Sequence, residues 1–261
     1  MTRYRAVLTG ASGGIGRAIA LALAPLCDTL LLVGRDAARL AETAAAVGPA
    51  ASTLVADLAT PAGRDAVALP GINLLINNAG AGDFAWLADQ SDATLARIVE
   101  TNVLAPMQLT RRLLPLLERQ PEAWILNIGS IFGYLGYPGH AAYSASKFAL
   151  RGFSEALRRE LADGPVRVLY LAPRATRTAM NGSALCALNA ELGVAMDEPA
   201  VVAQALLRLL RRPAGERLLG MPERLFARIN QLAPGVVDRA LRRQLSIIRR
   251  HAPAPADGGS S

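Results

Sequence analysis

Lysine is almost absent from this chain. Of 28 basic residues, 27 are arginine, and the exception is Lys147. A guanidinium is planar and permanently charged, whereas an ammonium is compact with three rotatable donors. A chain that uses arginine for every generic cation keeps one ammonium where shape matters. Cysteine is scarce too. Cys27 and Cys186 cannot build a disulfide framework, and with no export signal they read as reduced thiols of a cytoplasmic protein. Aromatic residues make up 5 % and histidines number two. No aromatic-basic surface for nucleic acid is predicted, and no metal site. No apolar run approaches the ~20 residues of a membrane span. The opening Met-Thr-Arg-Tyr-Arg and the apolar stretch after it imitate a signal peptide. That stretch is short and is broken by Gly10, Gly13, Gly14 and Gly16, so it reads as part of the fold.

What is present is plain by comparison. The 261 residues are 52 % hydrophobic, enough for one large domain or two small ones with a proper core. A net charge of +7 points to an anionic partner such as a phosphorylated small molecule. Short Leu- and Val-rich runs alternate with Ala-rich stretches. Strands are predicted at Arg5–Thr9, Leu30–Val33, Thr53–Ala56, Leu74–Asn77, Trp124–Ile128, Val166–Leu171 and Arg217–Leu219. Helices are predicted at Gly14–Pro25, Ala37–Val47, Thr94–Glu118, Ala142–Ala162 and Pro199–Arg211. Continuous apolar strands alternating with helices mean a parallel sheet covered on both faces, an α/β doubly wound fold.

The first strand runs into Thr9-Gly-Ala-Ser-Gly-Gly-Ile-Gly16 and then a helix. Gly10, Gly14 and Gly16, with Ser12 and Ile15 between them, let backbone N–H groups approach a diphosphate at the positive helix end. The spacing is TGxxxGxG rather than the more usual GxGxxG. In NAD-binding chains an acidic residue about 20 positions on holds the adenosine ribose. Here that place reads Val33-Gly34-Arg35-Asp36. A guanidinium at Arg35 suits a 2′-phosphate, so NADP(H) is the predicted cofactor, with Asp36 read as the N-cap of the next helix. Asp57 and Leu58, after the third strand, are placed to meet the adenine.

Downstream, Asn77-Asn78-Ala79-Gly80 follows the fourth strand, Asn102 lies in the long helix, Ser130 follows the fifth strand, and Tyr143-Ser-Ala-Ser-Lys147 comes next. Tyr143 and Lys147 are four apart, on one helix face. Bringing a phenol from pKa ~10 to near neutrality takes about 4 kcal/mol. A unit charge at about 4 Å supplies ~4 kcal/mol at an effective dielectric of 20. One lysine, helped by an oxidised nicotinamide, is therefore expected to suffice.

These motifs, in this order, resemble the short-chain dehydrogenase/reductase family in its single-domain form. The resemblance covers residues 3–220. It implies the strand order 3-2-1-4-5-6-7 and a pyridine-nucleotide cofactor. It also implies roles: Tyr143 as acid/base, Lys147 on the nicotinamide ribose and lowering the tyrosine pKa, Ser130 on the substrate oxygen, and Asn102 anchoring a relay water. Asn78, Ala79 and Gly80 line the cofactor cleft, with Asn78 open to a purely structural role. Pro173 and Thr178 belong to the segment that contacts the carboxamide. The chain departs from the family at Arg174, where a glycine is usual and which is read as either a phosphate ligand or a solvent-facing cation. It departs at Gly129, where a second serine is frequent. The loop also lacks the basic residue common in NADP binders, carrying Ser12 and Gly13 instead.

Three segments are predicted to form the substrate pocket: Phe84–Trp86; Ile131–Tyr137 with Phe132, Tyr134 and Tyr137; and Met180–Met196 with Leu185, Leu188, Leu192 and Val194. Tyr143 and Phe148 stand in or beside the same zone. Such a lining favours an apolar carbonyl substrate; a lid packed on the core is the other reading. Two further helices, Pro222–Ala233 and Gly235–Arg250, carry an apolar stripe (Leu225, Ile229, Leu232, Val236, Leu241, Leu245, Ile248) opposed by seven arginines. The preferred reading is that residues 221–251 pack on the catalytic domain, over the substrate entrance, or at a dimer contact. An anionic membrane or an acyl carrier is the other reading. The tail 252–261 is expected to be disordered.

The function expected is NADPH-dependent reduction of an apolar ketone or 3-oxoacyl group by a homodimer or homotetramer. Alternatives are an NAD-dependent secondary-alcohol dehydrogenase and a catalytically silent nucleotide-binding regulatory protein.

Overall fold

A computed structural model describes residues 3–253; the remainder of the expected tail, from residue 254 on, lies outside the described residues. Seven strands, β1 (Tyr4–Thr9), β2 (Cys27–Gly34), β3 (Ala51–Val55), β4 (Leu74–Asn77), β5 (Ala123–Ile128), β6 (Val166–Ala172) and β7 (Glu216–Leu218), form one parallel sheet in the order β3-β2-β1-β4-β5-β6-β7. Alternate residues of the central strands feed two cores. Ala6, Leu8, Leu30, Leu32, Leu126 and Ile128 face one, and Val7, Leu31, Val33, Leu75 and Ile125 face the other. Burial on both faces is why these strands read as unbroken apolar runs.

The first core is closed by α1 (Gly14–Leu23), α2 (Ala37–Val47) and α8 (Pro199–Arg211), through Ile19, Leu23, Leu40, Val202, Leu206 and Leu210. A short helix α3 (Pro61–Asp65) precedes β4. The second core is closed by α5 (Ala105–Leu117) and α6 (Ala141–Glu160), through Leu109, Leu113, Leu117 and Leu157. A wholly buried side chain of this size contributes about 1.5–3 kcal/mol relative to exposure, so these two layers hold the domain together.

Three local differences from the sequence expectation have physical causes. Helix α1 gives way at Leu23 to a tight turn, Ala24–Leu26, carrying Pro25, so β2 starts at Cys27 rather than Leu30. Burial there pushes the Cys27 thiol up to about 12. The long helix expected at Thr94–Glu118 begins earlier and is interrupted. Ser91 caps α4 (Asp92–Val99), and a π-helical turn, Glu100–Leu104, separates α4 from α5. Ala105 N–H bonds the Glu100 carbonyl five residues back. Pro106 follows with no N–H for the Asn102 carbonyl. Finally, α7 (Ser183–Glu191), α9 (Met221–Leu232) and α10 (Pro234–His251) build a separate layer beyond the carboxyl end of the sheet. Asn230 donates to the Tyr134 carbonyl at 3.0 Å, and Ala227, Val237 and Ile248 are buried, so the last two helices pack on the domain.

Candidate active site

The strand order reverses between β1 and β4, and a crevice opens there at the carboxyl ends of the strands. Gly10 lines one wall with φ +67°. A side-chain carbon on it would lie 2.8 Å from Ala79 Cα, so glycine is obligatory twice over. The Thr9 hydroxyl accepts from the N–H groups of Asn78 (2.9 Å) and Ala79 (3.0 Å). The Asn78 amide donates to the carbonyls of Thr9 (3.0 Å) and Gly10 (3.2 Å). Asn78 is thus a strut of the glycine loop, the structural role left open above. A side chain at Gly16 would overlap the Gly10 carbonyl, and one at Gly14 would press on Thr178 Cγ2 at 3.1 Å, which puts Thr178 over the loop. Gly13 caps α1 with no side-chain bond. The first N–H groups of the helix, at Gly14, Ile15 and Gly16, therefore face the crevice at its positive end.

At the end of β2, the space beside Gly34 belongs to Ser12, whose Oγ would sit 2.9 Å from an added side-chain carbon. Arg35 is exposed and has no carboxylate partner among the described residues. Asp36 caps α2, accepting from Arg39 N–H at 3.0 Å, a contact typically worth ~1 kcal/mol. Asp57 accepts from Ala59 N–H at 3.0 Å and so shapes its own turn, while Leu58 is buried in the second core. The glycine cradle and the uncapped helix start fit the diphosphate of a dinucleotide.

On the other side of the crevice stand Ser130, Tyr143 and Lys147. Ser130 follows β5 in extended backbone, and its Oγ accepts from Phe132 N–H at 3.2 Å. Lys147 is 4 % exposed, donates to the Ile128 carbonyl at 3.2 Å, and lies 5.6 Å from the centre of the Tyr143 ring. Burial pushes its ammonium down to about 8. Burial also raises the Tyr143 phenol above its ordinary value, and a hydrogen bond with Ser130 opposes that only in part. Burial thus favours the protonated form of the phenol, the form that can give a proton.

Asn102 sits in the π-helical turn, 1 % exposed. Its amide oxygen accepts from Ala81 N–H at 2.7 Å, and its NH2 donates to the Ala81 carbonyl (2.7 Å) and to Ser146 Oγ (2.9 Å). Ser146 Oγ in turn donates to the Tyr143 carbonyl at 2.7 Å. The carboxamide is spent on bracing the loop after β4 against α6. The Asn102 backbone carbonyl lacks its α-helical partner, because Pro106 has no N–H. A second polar chain, from Asn77 to Asn127 (2.8 Å) to Ser154 (2.8 Å), ties β4 and β5 to α6 beneath the site.

The aromatic wall is partly as expected. Phe132 stacks on Tyr137 at 5.2 Å and meets Tyr143 edge-on at 6.2 Å. Met180 reaches across to within 3.8 Å of the place a side chain at Gly80 would occupy, beside Lys147 and Asn102. Other pocket candidates lie elsewhere. Tyr134 is buried under α9 and stacks with Arg151 at 3.9 Å. Phe148 is 41 % exposed on the outer face of α6. Leu185, Leu188 and Leu192 pack with Phe84, Trp86 and Ile248, so they join α7 to α10 as a lid. Arg174 takes neither role foreseen for it. It pairs with Asp197 at 2.7 Å and Glu223 at 3.4 Å, pinning the base of the lid segment to α9.

Two residues escaped the sequence reading. His140, at the start of α6, is buried among Phe84, Phe132, Tyr137 and Tyr143, with Nδ1 3.1 Å from the Asp83 carbonyl. Burial lowers its pKa to about 4, so it is neutral in the working range. A histidine three residues before Tyr143 was the available signal. Tyr170 is fully buried on β6, and its hydroxyl donates to the Lys147 carbonyl at 3.4 Å. A side chain at Gly129 would overlap its phenol. The missing second serine and the tyrosine on the neighbouring strand are one feature seen from two strands.

With this geometry, similarity to known proteins is informative. A family profile described as short chain dehydrogenase matches residues 5–187. Dehydrogenase/reductase SDR family member 7B of Bos taurus is 33% identical over 90% of this chain and 79% of its own. Ketoacyl reductase HetN of a Nostoc species is 31% identical over 93% of this chain and 89% of its own. A short-chain dehydrogenase from Sphingobium yanoikuyae, solved in complex with NADPH, superposes with a TM-score of 0.77 at 29% identity, covering 89% of this chain and 94% of that one. The glycine cradle, the Ser130–Tyr143–Lys147 cluster and these matches make the chain a member of the short-chain dehydrogenase/reductase family, an oxidoreductase that uses a nicotinamide dinucleotide.

Proposed function

We propose that the protein is an NADPH-dependent reductase converting an apolar ketone or 3-oxoacyl group to a secondary alcohol. The observation that carries this reading is the cluster of Ser130, Tyr143 and Lys147 beside the glycine cradle, with the phenol placed to give its proton to a carbonyl oxygen. The choice of NADPH rests on Arg35, exposed and without an ion-pair partner among the described residues, beside an Asp36 already engaged as a helix cap. The apolar substrate rests on Phe132, Tyr137 and the neutral His140 around the tyrosine.

In this reading the N–H groups of Gly14, Ile15 and Gly16 hold the diphosphate, Arg35 binds the 2′-phosphate, and Asp57 meets the adenine. Lys147 holds the nicotinamide ribose, and Thr178 with Pro173 borders the carboxamide. When bound, reduced nicotinamide supplies two electrons and one hydrogen to the carbonyl carbon. Ser130 fixes the carbonyl oxygen by a hydrogen bond, and Tyr143 delivers the proton to that oxygen as its charge develops. The proton returns to Tyr143 from solvent along Lys147 and a water on the Asn102 carbonyl. Phe132, Tyr137 and Met180 exclude bulk water and grip the apolar part of the ketone. The outer faces of α5 and α6 suit pairing between subunits.

The test is a fluorescence titration with NADPH and NADH, followed by NADPH oxidation against ketones of rising chain length. Tighter NADPH binding, with kcat/KM growing with apolar length, is expected. Binding without turnover on any carbonyl would instead favour a regulatory nucleotide-binding protein.

A further inference from the structure

The apolar stripe of the last two helices does not all go inward. Leu241, Leu245 and Ile248 face α6 and α7. At the other end of the hairpin, Met221 is 72 %, Leu225 61 %, Leu232 87 % and Val236 55 % exposed. Four of the twelve exposed large apolar side chains among the described residues thus fall within residues 221–236. Positions 221, 225 and 232 share one face of α9, opposite the face through which Ala227 and Asn230 pack on the domain. Arg224 and Arg228 lie on the exposed side of α9, and Arg239, Arg242 and Arg243 continue the positive charge along the start of α10. None of these five has a carboxylate partner among the described residues, although Arg174, Arg177 and Arg250 all do. The acids nearby do not neutralise the patch. Glu223 turns inward to Arg174, and only Asp238 stands among the exposed arginines.

An occupant of this surface must supply negative charge and accept hydrocarbon together. A second copy meeting the patch across a two-fold axis would set arginine against arginine. An acidic protein would satisfy the guanidiniums yet leave Leu232 and Met221 in water. No described helix is long and apolar enough to cross a membrane; an amphipathic hairpin of this kind would lie along a bilayer. We infer that the α9–α10 hairpin docks on an anionic lipid surface. Met221, Leu225, Leu232 and Val236 enter the acyl-chain boundary, and Arg224, Arg228, Arg239, Arg242 and Arg243 engage lipid phosphates. The opposite side of the hairpin contacts Tyr134 and Tyr137. Docking therefore sets the lid of the crevice beside the bilayer. The lipid contact stands on the hairpin alone; only delivery of an apolar ketone from the membrane rests on the reductase reading.

The test is co-sedimentation of the full chain with phosphatidylcholine vesicles, with and without phosphatidylglycerol, across a salt series. Binding only to the anionic vesicles, weakening with salt, is expected. The Met221→Ser/Leu225→Ser/Leu232→Ser variant should lose roughly ten-fold or more in partitioning. Arg224→Gln/Arg228→Gln/Arg239→Gln should lose a similar factor and flatten the salt dependence. Both variants should keep wild-type NADPH affinity and turnover of a water-soluble ketone, since neither touches the crevice. Equal binding to neutral and anionic vesicles, or none to either, overturns the inference. So does an apolar variant that partitions like wild type, which would leave an acidic protein as the partner, or one that only converts a dimer to a monomer. Vesicle binding without turnover of any ketone would leave the docking intact and sink the reductase reading.

Discussion

The floor and the lid of the crevice are built on opposite terms. The floor, from the glycine loop to Lys147, is made of backbone contacts and buried polar side chains with assigned partners: Thr9 with Asn78 and Ala79, Asn102 with Ala81 and Ser146, Asn77 with Asn127 and Ser154. The lid, made of the segment from Arg174 through α7 together with α9 and α10, is held by Leu188, Leu192 and Ile248 and by ion pairs at its base and tip. Hydrogen bonds dictate residue type and spacing; apolar packing dictates little beyond volume. The contrast teaches where the chemistry resides and where specificity is free to vary.

The sharpest way to break that contrast is Tyr143→Phe. The ring keeps its packing and loses its proton, so kcat for ketone reduction should fall by about 10³-fold, while the NADPH dissociation constant in a fluorescence titration stays put. A variant retaining more than a tenth of the rate would move the chemistry off the floor. Next comes Arg35→Asp, which exchanges a charge-assisted contact for repulsion. The NADPH-to-NADH ratio of kcat/KM should drop by about 10- to 100-fold, and an unchanged ratio would show that Arg35 does not read the 2′-phosphate.

A smaller effect sharpens the packing side. Gly129→Ser must collide with Tyr170 and should cost about 1–3 kcal/mol, some 2–10 °C in Tm for a domain of this size. The double variant Gly129→Ser/Tyr170→Ala should recover part of that loss, measured by calorimetry. Recovery would prove the two positions to be one steric unit; a double variant worse than the single would refute it. The mildest expectation concerns pH. The Lys147 pKa is lowered to about 8, so its charge is present below that value and lost above it. Tyr143, shifted upward, stays protonated through the same range. The rate of reduction should therefore decline as pH rises through about 8, well before the phenol titrates. A profile flat to pH 10 would mean that the ammonium is dispensable.

The floor was largely legible in the sequence because its demands fall on particular residue types. Gly10 and Gly16 are glycine because another backbone occupies the space, and Asp36 announces a cap because α2 begins beside it. Strand order followed from the motifs the chain shares with its family. What escaped depends on contacts between segments remote in sequence. The partner of Gly129 is on β6, the partners of Arg174 are Asp197 and Glu223, and the burial that keeps Tyr143 neutral is a property of the assembled cleft. The π-helical turn left a local trace, Pro106 four residues after Asn102, that amphipathic periodicity does not register. In the lid, the sequence favoured Leu185 and Leu188 as pocket residues, and only the position of α10 shows them in a packed interface.

The solitary lysine has an experimental consequence of its own. Apart from the amino terminus, Lys147 carries the only amine in the chain, and it is 4 % exposed on the floor of the crevice. Amine-directed reagents meet almost no background on this protein. The rate at which a small acylating probe modifies Lys147, read apart from the amino terminus, becomes a single-site clock, slowed when a nucleotide fills the crevice and hastened when the lid opens. Occupancy and lid motion can thus be followed by mass spectrometry of the peptide that carries Lys147 without engineering a reporter.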